Sequence, residues 1–338
     1  MVTIKDVSTR AGVSKSTVSR FIADNGYVSD EKRKAIEAAI NELNYRPNKM
    51  ARGLRSNRSD IIGLVVVDVA SPFYAQLAGG VQSACREEGK SLLVTSGYAE
   101  QESESRAIIE LVDRSCDGLI LYLENPMDER VVELVQKAKL PVVVIGNDPY
   151  EVAQASVSVD NKLGAYQSMK MLLDRGHRDI VHFSGPLNYR DARDRLKGIE
   201  QALAEFGLGL NDIYIRHGTF LDKFGYEAVT DLVQTGRKFT AIVAGDDDIA
   251  AGCMLALKHN NIKVPQDVSI IGFDDNFHAR HLTPSLTTNR QPIEKMGQVA
   301  VDMLLQLLMK KPGSVQNLVL KTELVERESV AAISDRLS

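Results

Sequence analysis

The chain has 338 residues and a formal net charge of −4, from 41 basic and 45 acidic side chains. Apolar residues make up 44% of it and charged residues 25%, as in soluble globular proteins, and the length suggests two or three folded units. The longest apolar run, Ile61 to Val67, is too short to cross a bilayer, and the N-terminus lacks the apolar segment of a signal peptide. The three cysteines are widely spaced and form no Cys-x-x-Cys pair. We therefore expect a cytoplasmic protein with no membrane partner.

The charge is distributed unevenly along the chain. Residues 1–58 carry 12 Lys and Arg against 6 Asp and Glu, a net charge of +6, so the remainder carries −10. Such asymmetry indicates that the basic part contacts a nucleic acid or a membrane surface.

The first 46 residues have the pattern of three short helices. Thr3 can cap the first helix, which Gly12 ends, while Ser14 and Ser29 can cap the second and the third. A glycine between the first two helices is typical of helix-turn-helix proteins. We therefore predict an all-α helix-turn-helix domain over residues 1–46.

A short basic segment follows this domain. Pro47 closes the third helical unit, and Asn48 can cap a further short helix from Lys49 to Arg55. The polar residues after it are typical of a linker. We therefore predict a hinge helix and linker over residues 47–59.

From residue 61 onward, apolar strands alternate with amphipathic helices. The predicted strands are 61–67, 91–95, 118–122, 142–145, 157–159, 180–183, 241–244 and 268–272. The predicted helices are 101–112, 129–138, 164–174, 191–206, 224–234 and 249–260. This alternation predicts an α/β body of doubly wound parallel sheets, whose ligands bind outside the carboxyl ends of the strands. Because residues 60–338 exceed one usual core, we predict two similar halves.

Several motifs resemble one family of proteins. The N-terminal motifs are Thr3-Ile4-Lys5-Asp6-Val7, Ala11-Gly12-Val13-Ser14, Thr17-Val18-Ser19-Arg20, Tyr45-Arg46-Pro47-Asn48 and Ala51-Arg52-Gly53-Leu54. The later motifs are Ser71-Pro72-Phe73-Tyr74, Arg195-Leu196-Lys197-Gly198 and Val268-Ser269-Ile270-Ile271-Gly272-Phe273-Asp274-Asp275. Together they are similar to the LacI/GalR family of bacterial transcriptional repressors, and within it to the galactose and β-glucoside repressors of sugar catabolism.

The resemblance implies a two-subdomain body like a periplasmic binding protein. Its N-subdomain would comprise about 60–158 and 291–318, and its C-subdomain about 159–290 and 319–338. It also implies a homodimer that binds a palindromic operator in double-stranded DNA, because one helix-turn-helix unit reads only a half-site. We expect part of the dimer interface on the helix from Phe73 to Glu88.

The second helix presents short polar and basic side chains near its start, as a helix that enters the major groove must. Lys15, Ser16 and Arg20 can reach base edges, and the resemblance implies that the first two discriminate operator sequence while Arg20 contacts a base. The alternative is an ordinary solvated helix face. Further DNA-binding candidates, which would act as caps, turn residues or phosphate contacts, are Thr17, Ser19, Asn25 and Tyr45.

In the hinge, Leu54 is an apolar residue on a short basic helix with little core to bury. The resemblance implies that this helix folds on the operator and that Leu54 wedges into the minor groove. The alternative is that Leu54 packs against the body. The other hinge residues expected at the DNA are Asn48, Ala51, Arg52 and Arg55.

A sugar pocket needs hydrogen-bonding groups for hydroxyls and aromatic rings for the apolar faces. Candidates lie where predicted strands end or helices begin: Phe73, Tyr74, Asp160, Arg195, Phe220, Asp246, Asp274 and Gln291. The resemblance matches most of them to effector-contacting positions. The alternatives are helix capping or turn chemistry for the three aspartates and core packing for Phe73.

The family usually has Asn at position 246, and an ionised Asp there accepts hydrogen bonds without donating any. We expect a neutral sugar.

Enzymatic motifs are missing from the sequence. It has no Gly-x-Ser-x-Gly elbow, P-loop or Rossmann glycine signature, and His278 and His281 lack partners for a metal site. We therefore expect no catalytic residues, no cofactor and no metal.

The leading hypothesis is a repressor that a sugar releases from its operator. The alternatives are a regulator that needs its ligand in order to bind DNA, a sugar-binding transport protein, and a sugar-metabolising enzyme with an attached DNA domain.

Overall fold

The computed structural model describes residues 2–22, 26–45, 59–146, 152–309 and 317–334. The chain divides into two units, residues 1–59 and 60–338. The helices of the first unit are α1 (Ile4–Arg10), α2 (Lys15–Ile22) and α3 (Asp30–Glu42). The predicted hinge helix lies outside the described residues.

Local hydrogen bonds set the starts of the first two helices. The Asp6 carboxylate accepts from the main-chain N–H and the hydroxyl of Thr3, both at 2.8 Å. The Ser14 hydroxyl accepts from the main-chain N–H of Thr17 at 3.2 Å. Ser29 is the N-cap residue of α3 as predicted, although its side chain makes no capping hydrogen bond. Asp30 begins α3, and its charge complements the positive end of the helix.

The first unit has its own small core. The buried apolar side chains from α1, α2, α3 and the connection before α3 are Val7, Val18, Val28, Ile36 and Ala39. This packing leaves the opposite face of α2 open to solvent.

The second unit is the predicted α/β body. Its helices are α4 (Pro72–Glu87), α5 (Gln101–Asp113), α6 (Glu129–Ala138), α7 (Asn161–Asp174), α8 (Arg190–Glu205), α9 (Asp222–Gln234), α10 (Asp247–His259), α11 (Phe277–His281) and α12 (Ile293–Leu308). A 3₁₀ turn covers Leu210–Asp212. Its strands are β1 (Ile61–Val66), β2 (Ser91–Ser96), β3 (Gly118–Leu121), β4 (Val142–Ile145), β5 (Ala155–Val159), β6 (Ile180–Ser184), β7 (Tyr214–His217), β8 (Ala241–Ala244), β9 (Ser269–Asp274), β10 (Thr287–Arg290), β11 (Asn317–Leu320) and β12 (Glu323–Val325).

Two sheets with the same strand order form the body. The first sheet runs β2-β1-β3-β4-β5-β11, and all its pairs are parallel. The second runs β7-β6-β8-β9-β10-β12, with the β10–β12 pair antiparallel. We call each sheet with its helices the first and the second lobe. In both lobes the strand order reverses beside the earliest strand, so ligand crevices are expected between the carboxyl ends of β1 and β3 and of β6 and β8.

The chain passes between the lobes after β5, after β10 and after β11. These passages place residues 160–161, 291–292 and 321–322 at the junction of the lobes. No helix among the described residues is long and apolar enough to span a membrane.

Glycines allow helices α4 and α12 of the first lobe to touch closely. A Cβ built on Gly80 would lie 2.2 Å from the carbonyl oxygen of Glu294, and one built on Gly297 would lie 2.6 Å from that of Leu77. In contrast, a Cβ on Gly79, one residue away on the exposed face of α4, meets nothing within 4 Å.

Gly80→Ala is expected to lower the free energy of unfolding by about 2 kcal/mol, because the added methyl group forces α4 and α12 apart. The matched variant Gly79→Ala should be neutral or stabilising by up to about 1 kcal/mol, since alanine favours the helix. Urea unfolding curves followed by circular dichroism measure both effects. Equal unfolding midpoints for the two variants would contradict the close contact.

Candidate ligand site and DNA-facing helix

Helix α2 presents three of the predicted DNA-reading residues to solvent. The side chains of Lys15, Ser16 and Arg20 are exposed, whereas Val18 on the opposite face is fully buried. The Ser14 hydroxyl lies 2.8 Å from those of Ser16 and Thr17, which fixes the polar start of the helix. This face can therefore donate and accept hydrogen bonds at the start of a solvent-exposed helix.

The other predicted DNA contacts differ in exposure. Thr17 and Ser19 are half-buried, and Tyr45 packs against the small core of the first unit. The remaining candidates lie outside the described residues: Asn25, Asn48, Ala51, Arg52, Leu54 and Arg55.

In the first lobe, aromatic rings cluster at the carboxyl ends of β1 and β3. Phe73 and Tyr74 lie in the first turn of α4, and their ring centroids are 5.9 and 5.1 Å from that of Tyr122, which follows β3. All these contacts are edge-to-face. Phe73 is only 8% exposed and belongs to the core of the lobe, whereas Tyr74 is half-buried. The cluster thus offers apolar ring surface beside the junction of the lobes.

In the second lobe, Arg195 is a buried cation on α8. Its Nε donates to Oδ1 of Asn161 at 2.8 Å, and its Nη1 donates to the carbonyl of Gly245 at 2.5 Å. The guanidinium carbon lies 3.8 Å from the ring centroid of Phe273 and 5.7 Å from that of Phe220. These contacts fix the plane of the guanidinium, which is the geometry that recognises paired oxygen acceptors.

A hydrogen bond joins the two lobes beside Arg195. The Tyr122 hydroxyl donates to Oδ2 of Asp191 at 2.9 Å, and Nδ2 of Asn161 donates to Oδ1 of the same carboxyl group at 2.8 Å. The sequence analysis missed all three residues. Two of them could have been found from their positions in the sequence, because Tyr122 ends a predicted strand and Asn161 follows the candidate Asp160.

Asp274 and Gln291 meet at the carboxyl ends of β9 and β10. Nε2 of Gln291 donates to Oδ1 of Asp274 at 2.6 Å, and Nη2 of Arg195 lies 3.6 Å from the same oxygen. Both Asp274 and Gln291 are buried. Three of the predicted effector residues are therefore in one connected cluster.

Two other predicted aspartates cap helices. The Asp160 carboxylate accepts from the main-chain N–H of Leu163 at 2.9 Å, and that of Asp246 accepts from Ile249 at 2.7 Å. Helix capping, the alternative considered for these residues, thus occupies one oxygen of each. Phe220 lies near Arg195, and the centroid of its ring is 6.1 Å from that of Tyr189.

Carboxyl groups outnumber cations around Arg195. Burial, with the negative charges of Asp191 and Glu104 added, raises the pKa of Glu124 to about 9. Burial also raises the pKa of Asp274 to about 7 against the opposing charge of Arg195. Burial, with the charge of Asp248 added, raises the pKa of Asp246 well above its ordinary range. Such a site offers carboxyl groups that can accept from or donate to the hydroxyl groups of a ligand.

Known proteins are similar to this chain along nearly its whole length. Residues 3–48 match bacterial regulatory proteins of the lacI family, and residues 169–330 match a periplasmic binding protein-like domain. The transcriptional regulator RegA of Clostridium saccharobutylicum is 35% identical over 327 residues, which are 96% of this chain and 98% of RegA.

Two solved structures are also similar along nearly their full length. The lac repressor dimer bound to operator and the anti-inducer ONPF has a TM-score of 0.86 and 29% identity, covering 98% of this chain and 99% of that one. The complex of the transcriptional regulator CelR with cellobiose has a TM-score of 0.73 and 30% identity, covering 97% of this chain and all of that one. Both the helix-turn-helix unit and the two-lobed body are thus shared, and the chain belongs to the lacI family of bacterial regulatory proteins.

Proposed function

We propose that the protein is a cytoplasmic transcriptional repressor that binds a palindromic operator as a homodimer and is released from it by a neutral sugar. The observation that carries this proposal is the buried cluster around Arg195, which joins hydrogen-bonding groups and aromatic rings at the junction of two lobes. Residues 1–46 bind DNA, 47–59 form the hinge, and 60–338 form the effector-binding body. The similar proteins are named as regulators, and we propose no enzymatic activity.

At the DNA, Lys15, Ser16 and Arg20 read base edges from the exposed face of α2. Thr17 and Ser19 contact phosphates, and Tyr45 supports them from the small core. The hinge contributes the further contacts proposed from the sequence, with Leu54 as a minor-groove wedge. Support comes from the lac repressor, which resembles this chain and is a dimer on its operator.

At the ligand site, aromatic and polar side chains bind different parts of the sugar. The rings of Phe73, Tyr74 and Phe220 pack against its apolar faces. Its hydroxyl groups bind the polar side chains that were predicted at the effector site, which are Asp160, Arg195, Asp246, Asp274 and Gln291.

The raised pKa of Asp246 bears on the departure from the usual Asn. With one oxygen occupied by Ile249, a protonated carboxyl group still has an O–H that can donate, as the amide of Asn would. The raised pKa favours this form, so Asp246 can take the place of Asn at a hydroxyl group of the ligand.

The switch follows from the contact between the lobes. A sugar that enters between Tyr122 and Asp191 replaces their direct hydrogen bond and favours another relative position of the lobes. A coupling free energy of about 1–3 kcal/mol would change operator affinity by roughly 5- to 150-fold.

Two measurements on the full-length protein test this function. Palindromic duplexes are selected from a random library, and their affinity is then measured by fluorescence anisotropy with and without D-ribose, D-galactose or cellobiose. Thermal unfolding with the same sugars reports binding to the body directly. We expect one sugar to raise the unfolding temperature and to weaken DNA binding.

Other outcomes separate the alternatives. A sugar that tightens DNA binding would establish the regulator that needs its ligand. A sugar that binds while no duplex is preferred over random DNA would favour a transport protein and overturn the repressor.

A further inference from the structure

The backbone that presents Asp274 is unusual. Asp274 has φ of +119° and Asp275 has φ of +56°, two consecutive non-glycine residues with positive φ. L-residues rarely adopt this region, and such conformations persist only where the surroundings over-determine them. The surroundings of Asp275 therefore decide where the Asp274 carboxyl group points.

Three arginines hold the Asp275 carboxylate, whose side chain is fully buried. Nε of Arg290 lies 2.7 Å from Oδ2, and Nη2 of Arg327 lies 2.6 Å from Oδ1. Nη2 of Arg280 lies 3.5 Å from Oδ2. Because the arginines come from β10, from the segment after β12 and from α11, Asp275 is fixed from three directions.

The following residue is fixed as well. The main-chain N–H of Asn276 donates to Oδ2 of Asp247 at 2.9 Å, and its side-chain amide donates to Asp248 at 3.0 Å. Asp247 in turn accepts from the Thr288 hydroxyl at 2.6 Å. The segment after β9 thus cannot relax toward its C-terminal side.

The same arginine network reaches the partner of Asp274. Arg290 binds Asp275, and the next residue, Gln291, binds Asp274 twice, through its side chain at 2.6 Å and through its main-chain N–H at 3.0 Å. The neighbouring residues Arg290 and Gln291 therefore bind the neighbouring residues Asp275 and Asp274. We expect that loss of the Arg290–Asp275 contact would also shift the Gln291–Asp274 contact.

We propose that Asp275, held by Arg290 and Arg327, is a positioning residue for the effector site: it holds Asp274 in the orientation that binds the ligand without touching the ligand itself. This inference rests on the proposed function, in which Asp274 binds a hydroxyl group of the sugar. Asp274 was predicted from the sequence to bind the effector, whereas Asp275 had no predicted role.

Arg327→Ala tests the proposal, with Arg175→Ala as its matched control. Arg327 makes one ion pair and one hydrogen bond to a main-chain carbonyl, that of Leu286 at 2.7 Å. Arg175 does the same with Glu326 at 2.5 Å and the carbonyl of Val330 at 3.1 Å. Both anchor the C-terminal segment to the second lobe, and Arg175 does so without contacting Asp274 or Asp275.

We expect Arg327→Ala to weaken binding of whichever of D-ribose, D-galactose and cellobiose the wild type binds, measured by calorimetry, by about tenfold. Arg175→Ala should leave the affinity unchanged although both variants lose thermal stability. Arg327→Lys, which retains the charge beside Asp275, should recover most of the affinity. Crystal structures of the two alanine variants should show the Asp274 carboxyl group displaced from Gln291 in Arg327→Ala alone.

Equal sugar affinities in the two alanine variants, or an unmoved Asp274 in Arg327→Ala, would overturn the positioning role. If the wild type binds none of the three sugars, the sugar assignment loses its support, while the crystal structures still decide the positioning of Asp274. Failure of the proposed function and failure of this inference are thus distinguishable.

Discussion

Arg195→Ala is expected to weaken sugar binding about 100-fold and to leave the protein on its operator at sugar concentrations that release the wild type. The variant removes the donor to Asn161 and to the Gly245 carbonyl and the positive charge beside Asp274. A hydrogen bond to a charged group contributes about 1.5–3 kcal/mol, and a 100-fold loss of affinity is about 2.8 kcal/mol, so losing one bond from Arg195 to a sugar hydroxyl accounts for this factor. Calorimetry with the bound sugar and anisotropy with operator DNA measure the two effects.

Two arginine variants serve as controls. Arg195→Lys keeps the charge, but an ammonium group cannot reproduce the planar fork that meets Asn161 and Gly245 together, so affinity should remain reduced. Arg193, two residues earlier on α8, is exposed and donates to the carbonyls of Leu187 and Asn188. Arg193→Ala should bind sugar and respond to it almost as the wild type does. Equal losses in Arg193→Ala and Arg195→Ala would remove Arg195 from the site.

The Arg195 cluster shows how far the sequence could specify the site. Strand ends and family resemblance placed Arg195, Asp274 and Gln291 at the carboxyl ends of the sheets, and the structure joins them. The bond between Tyr122 and Asp191 was missed, because it depends on how two separately folded sheets face each other across 69 positions of sequence. The hydrophobic pattern of each lobe predicts its own strands and helices but not the distance between Tyr122 in one lobe and Asp191 in the other.

The aspartates illustrate a different difficulty. Asp160 and Asp246 follow strands and precede helices, so the same position suits a helix cap and a ligand contact. The sequence is therefore compatible with both roles, and the structure shows the caps directly. A carboxyl group has two oxygens, and the cap occupies one of them, so capping and ligand binding are compatible.

Strand β10 was missed for a chemical reason. Its residues Thr287, Thr288 and Asn289 are fully buried but polar, so no apolar run marks the strand. The structure pairs Thr288 with Asp247, and Asn289 donates to the carbonyl of Gly164 at 2.8 Å. Strand prediction from hydrophobic patterning fails where hydrogen-bonded polar side chains replace the apolar ones.

The acid-rich site also predicts how stability depends on pH. In the folded protein the pKa of Glu124 is about 9 against an ordinary value of 4.5, and that of Asp274 is about 7 against 3.8. At a pH between the ordinary and the raised pKa of each group, that group holds a proton in the folded state and has lost it in the unfolded chain. The stabilisation is therefore complete below about pH 4 and is lost as the pH rises through the folded values.

The charged groups around Glu124 come from both lobes. Asp191 and Glu104 favour its proton, while Arg193 and Arg195 oppose it. Since burial is the largest contribution, the pKa stays high despite the two cations. Ionisation of Glu124 would add a negative charge in the first lobe that repels the charge of Asp191 in the second.

We therefore expect the free energy of unfolding of the wild type to fall between pH 5 and pH 8, with a contribution from Glu124 of up to about 1.4 kcal/mol per pH unit. Glu124→Gln cannot ionise, so its stability should fall less steeply over the same range and exceed that of the wild type at pH 8. Glu102→Gln is the control, because that side chain is 81% exposed on α5 of the same lobe. Urea unfolding at each pH measures the slopes. A Glu124→Gln slope equal to that of the Glu102→Gln protein would show that Glu124 releases its proton at the same pH in the folded and the unfolded state, and would contradict the raised pKa of this side chain.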